Sequence, residues 1–115
     1  MPRLIDTVAL ERALEEFAKA RDWEQFHSPK NLAMALTGEV GELVELFQWL
    51  TDAQARDAMK SPAQAMRIQE EMADVMLYLV RMASVLGVNL DEAVRDKLLK
   101  NAIRYPIGKQ TSPNL

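Results

Sequence analysis

Apolar residues recur with helical periodicity through nearly the whole of this 115-residue chain, and no segment shows the alternation typical of a strand. The chain has only four glycines and five prolines and is 49% hydrophobic, which favours a folded, helix-rich domain. A chain of this length is expected to form one small domain with a modest core. The sequence therefore predicts an all-α fold, a four-helix bundle made of two antiparallel hairpins.

The first half of the chain contains two predicted helices. An apolar stripe indicates a helix over residues 4–21, followed by a polar and aromatic connection over residues 22–29. Ser28 is a favourable N-cap and a proline follows it, so the second helix is expected over residues 29–50. Residues 52–60 are predicted to form a short helix or an ordered loop.

The second half contains two further predicted helices. The segment 61–64, Ser-Pro-Ala-Gln, has the pattern of a capping box and marks the start of the third helix. Gly87 is the expected stop, because glycine readily adopts the left-handed conformation that ends many helices. The fourth helix is expected to open at Asn89 or Asp91 and to end near Arg104.

Composition limits the domain organisation and the class of protein. We expect one helical domain over residues 1–105 and a polar tail over residues 106–115. The absence of cysteine excludes disulfides, zinc–thiolate sites and thiol nucleophiles, and it suits a cytoplasmic protein. The chain shows no signal-peptide core and no apolar stretch near the ~20 residues of a membrane span. Its net charge of −3 argues against a general nucleic-acid binder, so neither membrane nor nucleic acid is an expected partner.

Two pairs of acidic residues lie inside the apolar runs of the second and third predicted helices. Glu39 and Glu42 are three residues apart in GEVGELVEL, and Glu71 and Asp74 are three residues apart in QEEMADVMLYL. Each pair therefore shares one helix face. Carboxylates on the apolar side of a helix cost free energy unless something compensates their charge. If the two pairs face each other, they form a cage of four carboxylates that suits a divalent metal ion.

The ligand types narrow the choice of metal. Di-iron carboxylate bundles use Glu-x-x-His motifs, but the single histidine of this chain, His27, lies outside both acidic helices. Ligation by oxygen alone favours Mg²⁺, with Mn²⁺ as the other candidate. Mg²⁺ bound by carboxylates usually takes substrate phosphates as further ligands, so the cage predicts a phosphorylated substrate. The alternative is that the acidic residues form an ordinary solvated helix face.

Segments around the acidic pairs resemble a known family. GEVGELVELFQW followed by EEMADVMLYLV resembles the MazG-like all-α nucleotide pyrophosphohydrolases, which carry E-x-x-E on one helix and E-x-x-D on the next. DWEQFHSPKNL and KLLKNAIRYP are similar to the dCTP pyrophosphatase branch of that group. The resemblance covers about residues 10–108.

The resemblance implies Mg²⁺-dependent hydrolysis of a nucleoside triphosphate to the monophosphate and pyrophosphate. It implies a homo-oligomer, a tetramer or a dimer, with active sites near subunit interfaces. The two acidic pairs would be the catalytic and metal-binding residues, and the WEQFH segment, here residues 23–27, would contribute to nucleotide binding. One departure concerns base recognition: some members of the branch carry a histidine where Leu14 aligns.

Two aromatic residues are candidate base or sugar contacts. Tyr78 lies four residues after Asp74, and Trp49 lies seven residues after Glu42, so each continues the face of an acidic pair. The spacing predicts both aromatics at one end of the cage, where they could stack on a nucleobase. The alternative for both is an ordinary place in the core.

The connection before the second helix holds further candidates. Trp23, Phe26 and His27 lie in a loop-like segment, and loops held by a rigid scaffold often carry binding residues. Phe26 is also a candidate for packing, and His27 for an ordinary surface position. Lys30 opens the second helix, where a cation and free N–H groups favour phosphate.

Polar residues of the fourth helix are candidate phosphate contacts. Lys97, Asn101 and Arg104 are spaced four and three residues apart and so share one face. Arginine can bind phosphate through two hydrogen bonds, and lysine acts as a point charge. Cations in a last helical turn also complement the helix dipole, which is the alternative explanation.

Three functions are compatible with these residues. The first is an Mg²⁺-dependent pyrophosphohydrolase that cleaves dCTP or a modified cytosine nucleotide. The second is a related all-α hydrolase that prefers another nucleotide such as dUTP. The third is a non-catalytic helical module that oligomerises through its Met and Leu residues.

Overall fold

The computed structural model describes residues 2–108. Two single-turn 3₁₀ helices, Glu24–Phe26 and Ala58–Lys60, accompany the longer helices. The α-helices are α1 (Val8–Ala20), α2 (Pro29–Glu45), α3 (Asp52–Arg56), α4 (Pro62–Leu86) and α5 (Leu90–Arg104). No strand occurs among the described residues, which confirms the all-α prediction.

Three of the predicted helix signals have the expected geometry. The Ser28 hydroxyl accepts a hydrogen bond from the Asn31 N–H at 3.1 Å and caps α2. The Asn89 side chain accepts one from the Glu92 N–H at 3.1 Å and caps α5, which decides between the two predicted starts of that helix. Gly87 ends α4 with φ of 72°, in the left-handed region.

The end of α2 and the next capping box differ from the prediction. The second helix ends at Glu45 rather than at residue 50. The capping box forms between Thr51 and Gln54, at the start of α3. Gln64, the predicted partner of a capping box, instead donates to the Leu46 carbonyl at 3.2 Å. Leu46, the residue after Glu45, is buried against Ala58 and Ile68 at the point where the helix ends.

The longest helix, α4, is the centre of the fold. α2 packs along it over most of its length, and α1 packs against another part of its surface. Ala18 of α1, Leu32 of α2 and Val80 of α4 are almost fully buried. A second cluster joins Leu46, Ala58 and Ile68, at the end of the domain that holds α3.

α1 begins at Val8, not at residue 4, because residues before it make hydrogen bonds to α5 instead of extending the helix. The backbone N–H groups of Leu4 and Ile5 donate to one oxygen of Asp91 at 2.7 and 3.0 Å. The other oxygen pairs with Arg95 at 3.0 Å. The Ile5 N–H is the main reason that the pKa of Asp91 lies below its ordinary value, with smaller help from Leu4 and Arg95 against the effect of burial. This buried carboxylate ties the start of the chain to the first turn of α5.

The position of the last helix contradicts the predicted four-helix bundle. α5 leaves α4 at an angle of 103° and does not pack along α1 or α2, so four helices do not close into a bundle within one chain. The radius of gyration is 17.1 Å, against about 13 Å expected for a compact domain of this length. Leu98, Leu99 and Ile103 of α5 remain exposed, Ile103 to 81%. One chain alone therefore leaves apolar surface uncovered.

The predicted tail of residues 106–115 is described only to residue 108, and the rest lies outside the described residues. Among residues 2–108, no single helix is both long and apolar enough to span a membrane; α4 and α5 meet that test only as one bent pair.

Candidate active site

The packing of α2 on α4 brings acidic residues of both helices together. Glu39, Glu42 and Glu71 each offer a carboxylate oxygen within 4.8 Å of the others. Asp74 lies outside this tight group, yet its charge contributes to raising the pKa of both Glu39 and Glu71, so it lies near them. The structure thus places three of the four predicted acids in one cluster and the fourth beside it.

The cluster lacks the partners that carboxylates need. One oxygen of Glu39 and one of Glu71 are buried with no hydrogen-bond partner among the described residues. Desolvation, followed by contacts with neighbouring carboxyl groups, raises the pKa of Glu39 to about 7. Desolvation is also the main cause that raises the pKa of Glu71. Buried, mutually repelling oxygen donors of this kind fit a hard divalent cation, which could be held by Glu39, Glu42 and Glu71.

A cavity of about 160 Å³ adjoins the acidic residues. Its walls are mostly apolar and aromatic, and Asp74 joins it to the acidic cluster. The lining residues are Leu14, Phe17, Trp23, His27, Leu32, Asp74, Leu77, Tyr78 and Arg81. A mostly apolar cavity with a few convergent polar groups is the usual form of a small-molecule site.

The aromatic wall of the cavity is built by Phe17 of α1 and by Trp23 and His27, which flank the 3₁₀ helix Glu24–Phe26. The Trp23 ring packs edge-on against Phe17 at 5.6 Å between centroids and against His27 at 6.4 Å. The Arg21 guanidinium lies 3.5 Å from the centroid of the Phe17 ring. These contacts link the Trp23 ring to Phe17 and His27, and Tyr78 of α4 lines the same cavity.

Arg81 is a cavity residue that reasoning from the sequence missed. Its side chain is buried, with 8% of the residue exposed, and its Nε donates to Nδ1 of His27 at 3.0 Å. Burial and the charge of Arg81 lower the pKa of His27 below its ordinary value. Because Nδ1 of His27 accepts this bond, the neutral ring carries its proton on Nε2. The signal that could have found Arg81 is its position three residues after Tyr78, on the same face of α4.

Comparison with known proteins assigns the family. The model of the MazG-like family matches residues 35–113, which include all four predicted acids. The chain belongs to the MazG-like family. The resemblance predicted from the two acidic motifs is confirmed.

Individual relatives agree with this MazG-like assignment. The chain is 49% identical over 98 residues to dCTP pyrophosphatase 1 of Rattus norvegicus and 50% identical over 97 residues to that of Homo sapiens. These matches cover 85% and 84% of the chain but only 58% and 57% of the relatives, so the chain spans somewhat more than half of their length. The crystal structure of a pyrophosphatase from Archaeoglobus fulgidus superposes with a TM-score of 0.81 at 34% identity, covering 92% of this chain and 98% of the other.

Within the MazG-like chain, some predicted binding residues meet at the cavity and others do not. Trp23, His27 and Tyr78 line it, and so does Leu14, the position at which the sequence departs from some members of the dCTP branch. Phe26 does not line it: the ring is exposed, and its carbonyl accepts from the Asn31 side chain at 3.1 Å.

Trp49 is displaced from the position that the sequence predicted. Because α2 ends at Glu45, Trp49 lies in the following turn and no longer continues the face of Glu42. It borders a separate cavity with Gln64 and Arg67, and 86% of its surface is exposed. Within one chain, Trp49 and Tyr78 do not share a cavity.

The predicted phosphate-binding residues of α2 and α5 also lie away from the cavity. Lys30 is exposed at the start of α2, and Lys97 is exposed on α5. Asn101 is buried, and its carbonyl accepts from the Tyr105 N–H at 2.8 Å. The Arg104 guanidinium lies 5.3 Å from the Tyr105 ring. None of the four lines the cavity of Trp23 and Tyr78.

The raised pKa of Glu39 predicts that the metal-free protein becomes less stable as pH rises, and that the stabilisation by Mg²⁺ becomes larger. Because the folded carboxyl has a pKa of about 7, against 4.5 ordinarily, the folded state binds more protons than the unfolded state between these values. The metal-free protein should therefore lose stability as pH rises from about 4.5 to 7. A metal ion competes with these protons, so the increase in Tm caused by Mg²⁺ should be larger at pH 8 than at pH 6. Thermal unfolding with Mg²⁺ or with EDTA at both values measures the difference.

Glu39→Gln is the matched variant for this measurement. It removes one of the two glutamates with a raised pKa, so the pH dependence of the metal-free protein should become weaker. An equal Mg²⁺ effect at pH 6 and pH 8 in the unsubstituted chain would contradict the prediction.

Proposed function

We propose that this chain hydrolyses dCTP, or a modified cytosine deoxynucleotide, to the monophosphate and pyrophosphate with Mg²⁺. The observation that carries the proposal is the junction at Asp74, where a cluster of unpartnered carboxylates meets a cavity with aromatic walls. A nucleoside triphosphate has these two halves, a charged chain that binds through metal and a flat ring that stacks. The relatives named dCTP pyrophosphatase 1 support the choice of nucleotide.

The acidic cluster is the phosphate half of the proposed site. Glu39, Glu42 and Glu71 would hold Mg²⁺, with Asp74 beside them. When bound, Mg²⁺ supplies positive charge to the phosphate oxygens and makes water a better nucleophile. Glu42 is the most exposed of the three, so we assign it to orient the attacking water and to accept its proton.

The cavity is the nucleoside half of the proposed site. Trp23 and Tyr78 supply faces and edges against which a base or a sugar packs. His27, kept neutral by burial and by Arg81, offers its Nε2–H as a donor. The apolar wall formed by residues such as Leu14 and Leu32 excludes water from this end.

The proposed enzyme is a homo-oligomer, a tetramer or a dimer, in which neighbouring chains complete the site. Exposed apolar residues of α5 and the exposed Trp49 support this, because surfaces of this kind normally mark interfaces. Trp49, Lys97 and Arg104 do not reach the cavity of their own chain. In the proposed oligomer they would reach the cavity of a neighbouring chain. The cations would then hold the departing pyrophosphate.

Turnover of a panel of nucleoside triphosphates with Mg²⁺ tests the proposal, with monophosphate, diphosphate, pyrophosphate and phosphate resolved. We expect monophosphate plus pyrophosphate, formed fastest from dCTP. The same products formed fastest from dUTP or another nucleotide would retain the reaction and overturn the choice of base. No turnover with Mg²⁺ or Mn²⁺ would favour a non-catalytic module.

A further inference from the structure

We propose that Arg81 determines the choice of base by donating two hydrogen bonds from its guanidinium to O2 and N3 of cytosine. The inference rests on the proposed function and assigns base recognition at that site to a residue that neither acidic motif contains. It concerns the end of the cavity far from the acidic cluster.

Most hydrogen-bond donors of Arg81 have no partner within the described residues and are open to a ligand. No carboxylate lies within ion-pair distance of it among residues 2–108. Its one hydrogen bond goes from Nε to the neutral ring of His27, and the two terminal amino groups make none within the described residues. Although only 8% of the residue is exposed, neither terminal amino group is among the buried side-chain atoms without a partner, so solvent reaches both of them. A ligand that enters the cavity lined by Arg81 can therefore replace that solvent with acceptors.

The position of Arg81 along α4 selects the base as that ligand. Glu71, Asp74, Tyr78 and Arg81 follow one another at intervals of three, four and three residues and so lie on one face of α4. Seven residues separate Asp74 from Arg81, a rise of about 10 Å along the helix. With the phosphates at the acidic cluster, the nucleoside extends along this row, past Tyr78, toward Arg81.

The geometry of the donors selects cytosine among the pyrimidines. A guanidinium presents parallel N–H groups in a planar fork that matches two neighbouring acceptors. Cytosine offers such a pair in O2 and N3, whereas uracil and thymine place an N–H donor between their two carbonyl oxygens. That N–H would face the N–H groups of Arg81, which disfavours dUTP and dTTP.

The test pairs a change in the protein with a change in one atom of the base. Arg81→Met removes the fork and keeps an apolar stem, Arg81→Lys keeps the charge without the fork, and Arg12→Met removes an exposed arginine of α1 as control. The substrates are dCTP, its 3-deaza analogue, which lacks the N3 acceptor, and dUTP. The unsubstituted chain should prefer dCTP to the analogue by about 10- to 100-fold in kcat/KM.

Arg81→Met should abolish the preference for dCTP over the analogue, with the larger loss of kcat/KM for dCTP, because the analogue has only the O2 acceptor to lose. Arg12→Met should behave as the unsubstituted chain does. Arg81→Lys should recover only part of the preference. An equal loss for all nucleotides would overturn the proposal, because it would mean that Arg81 holds phosphate or only supports the fold. The Mg²⁺-dependent rise in Tm verifies that each variant is folded.

Calorimetric binding of dCMP and 3-deaza-dCMP separates this inference from the proposed function. A chain that binds dCMP more tightly than its analogue but hydrolyses no dCTP would overturn the proposed function and keep the role of Arg81. A chain that hydrolyses dCTP but binds the two monophosphates equally would overturn the role of Arg81 alone.

Discussion

Glu42→Gln is expected to reduce turnover of dCTP about 10³-fold or more, equivalent to about 4 kcal/mol of activation free energy. The substitution keeps the size of the side chain and removes the charge that faces two other carboxylates within 4.8 Å. It therefore removes one proposed metal ligand and the group proposed to orient water. The fold should persist, since the metal-free cluster loses a source of repulsion. Steady-state rates and the Mg²⁺-dependent rise in Tm measure both effects.

The control for this prediction is the same change at a glutamate away from the site. Because Glu70 lies one helical turn from Asp74, Glu16→Gln on α1 is used as this control: its side chain is exposed and belongs to neither the acidic cluster nor the cavity, so turnover should stay within about twofold. Near-normal turnover of Glu42→Gln would remove Glu42 from the proposed mechanism. Lost turnover with an unchanged Mg²⁺ effect would leave it a role in chemistry without a role in metal binding.

Replacing Leu99 and Ile103 together by aspartate is expected to dissociate the proposed oligomer and to abolish turnover. The two residues are one helical turn apart on α5, and both side chains are mostly exposed in a single chain. If a neighbouring chain covers them, each aspartate buries an unpaired charge at the interface. Light scattering coupled to size exclusion should then report the mass of one chain, 13.0 kDa.

Lys100→Asp places a new carboxylate in the same helix, one residue from Leu99, on a polar position. This control should keep the assembly of the unsubstituted chain, which is the property that it tests. If the double variant assembles normally, α5 is not the interface and its apolar face requires another partner.

Local signals predicted the helix boundaries that depend on neighbouring residues alone. Ser28 and Gly87 act within one turn of the backbone, and each has the geometry that its residue type favours. The end of α2 was wrong because it depends on distant residues. Leu46 packs against Ala58 and Ile68, and that contact draws the chain away from a helical path.

The residues of the candidate site also divide into those that could be predicted from the sequence and those that could not. Glu39, Glu42 and Glu71 could be predicted as neighbours because carboxylates at helical spacing in two apolar runs cost less free energy if the two pairs face each other and share one compensating charge. The position of Trp49 could not, because it was projected along a helix that ends four residues earlier, at Glu45. Arg81 was overlooked because an arginine inside an apolar run is usually explained by a long stem that reaches solvent.

The carboxylate of Asp91 makes the direction of α5 depend on the first residues of the chain. Its oxygens bind the N–H groups of Leu4 and Ile5, 87 and 86 residues away, and the guanidinium of Arg95. Since α5 has little other packing within the chain, these contacts of Asp91 set the orientation of α5 and so the position of Ile103 near its other end. Trimming a handful of residues before α1 would thus loosen a helix at the opposite end of the sequence. In the proposed oligomer, the contacts made by Ile103 would change before the α2–α4 pair that holds the acidic cluster.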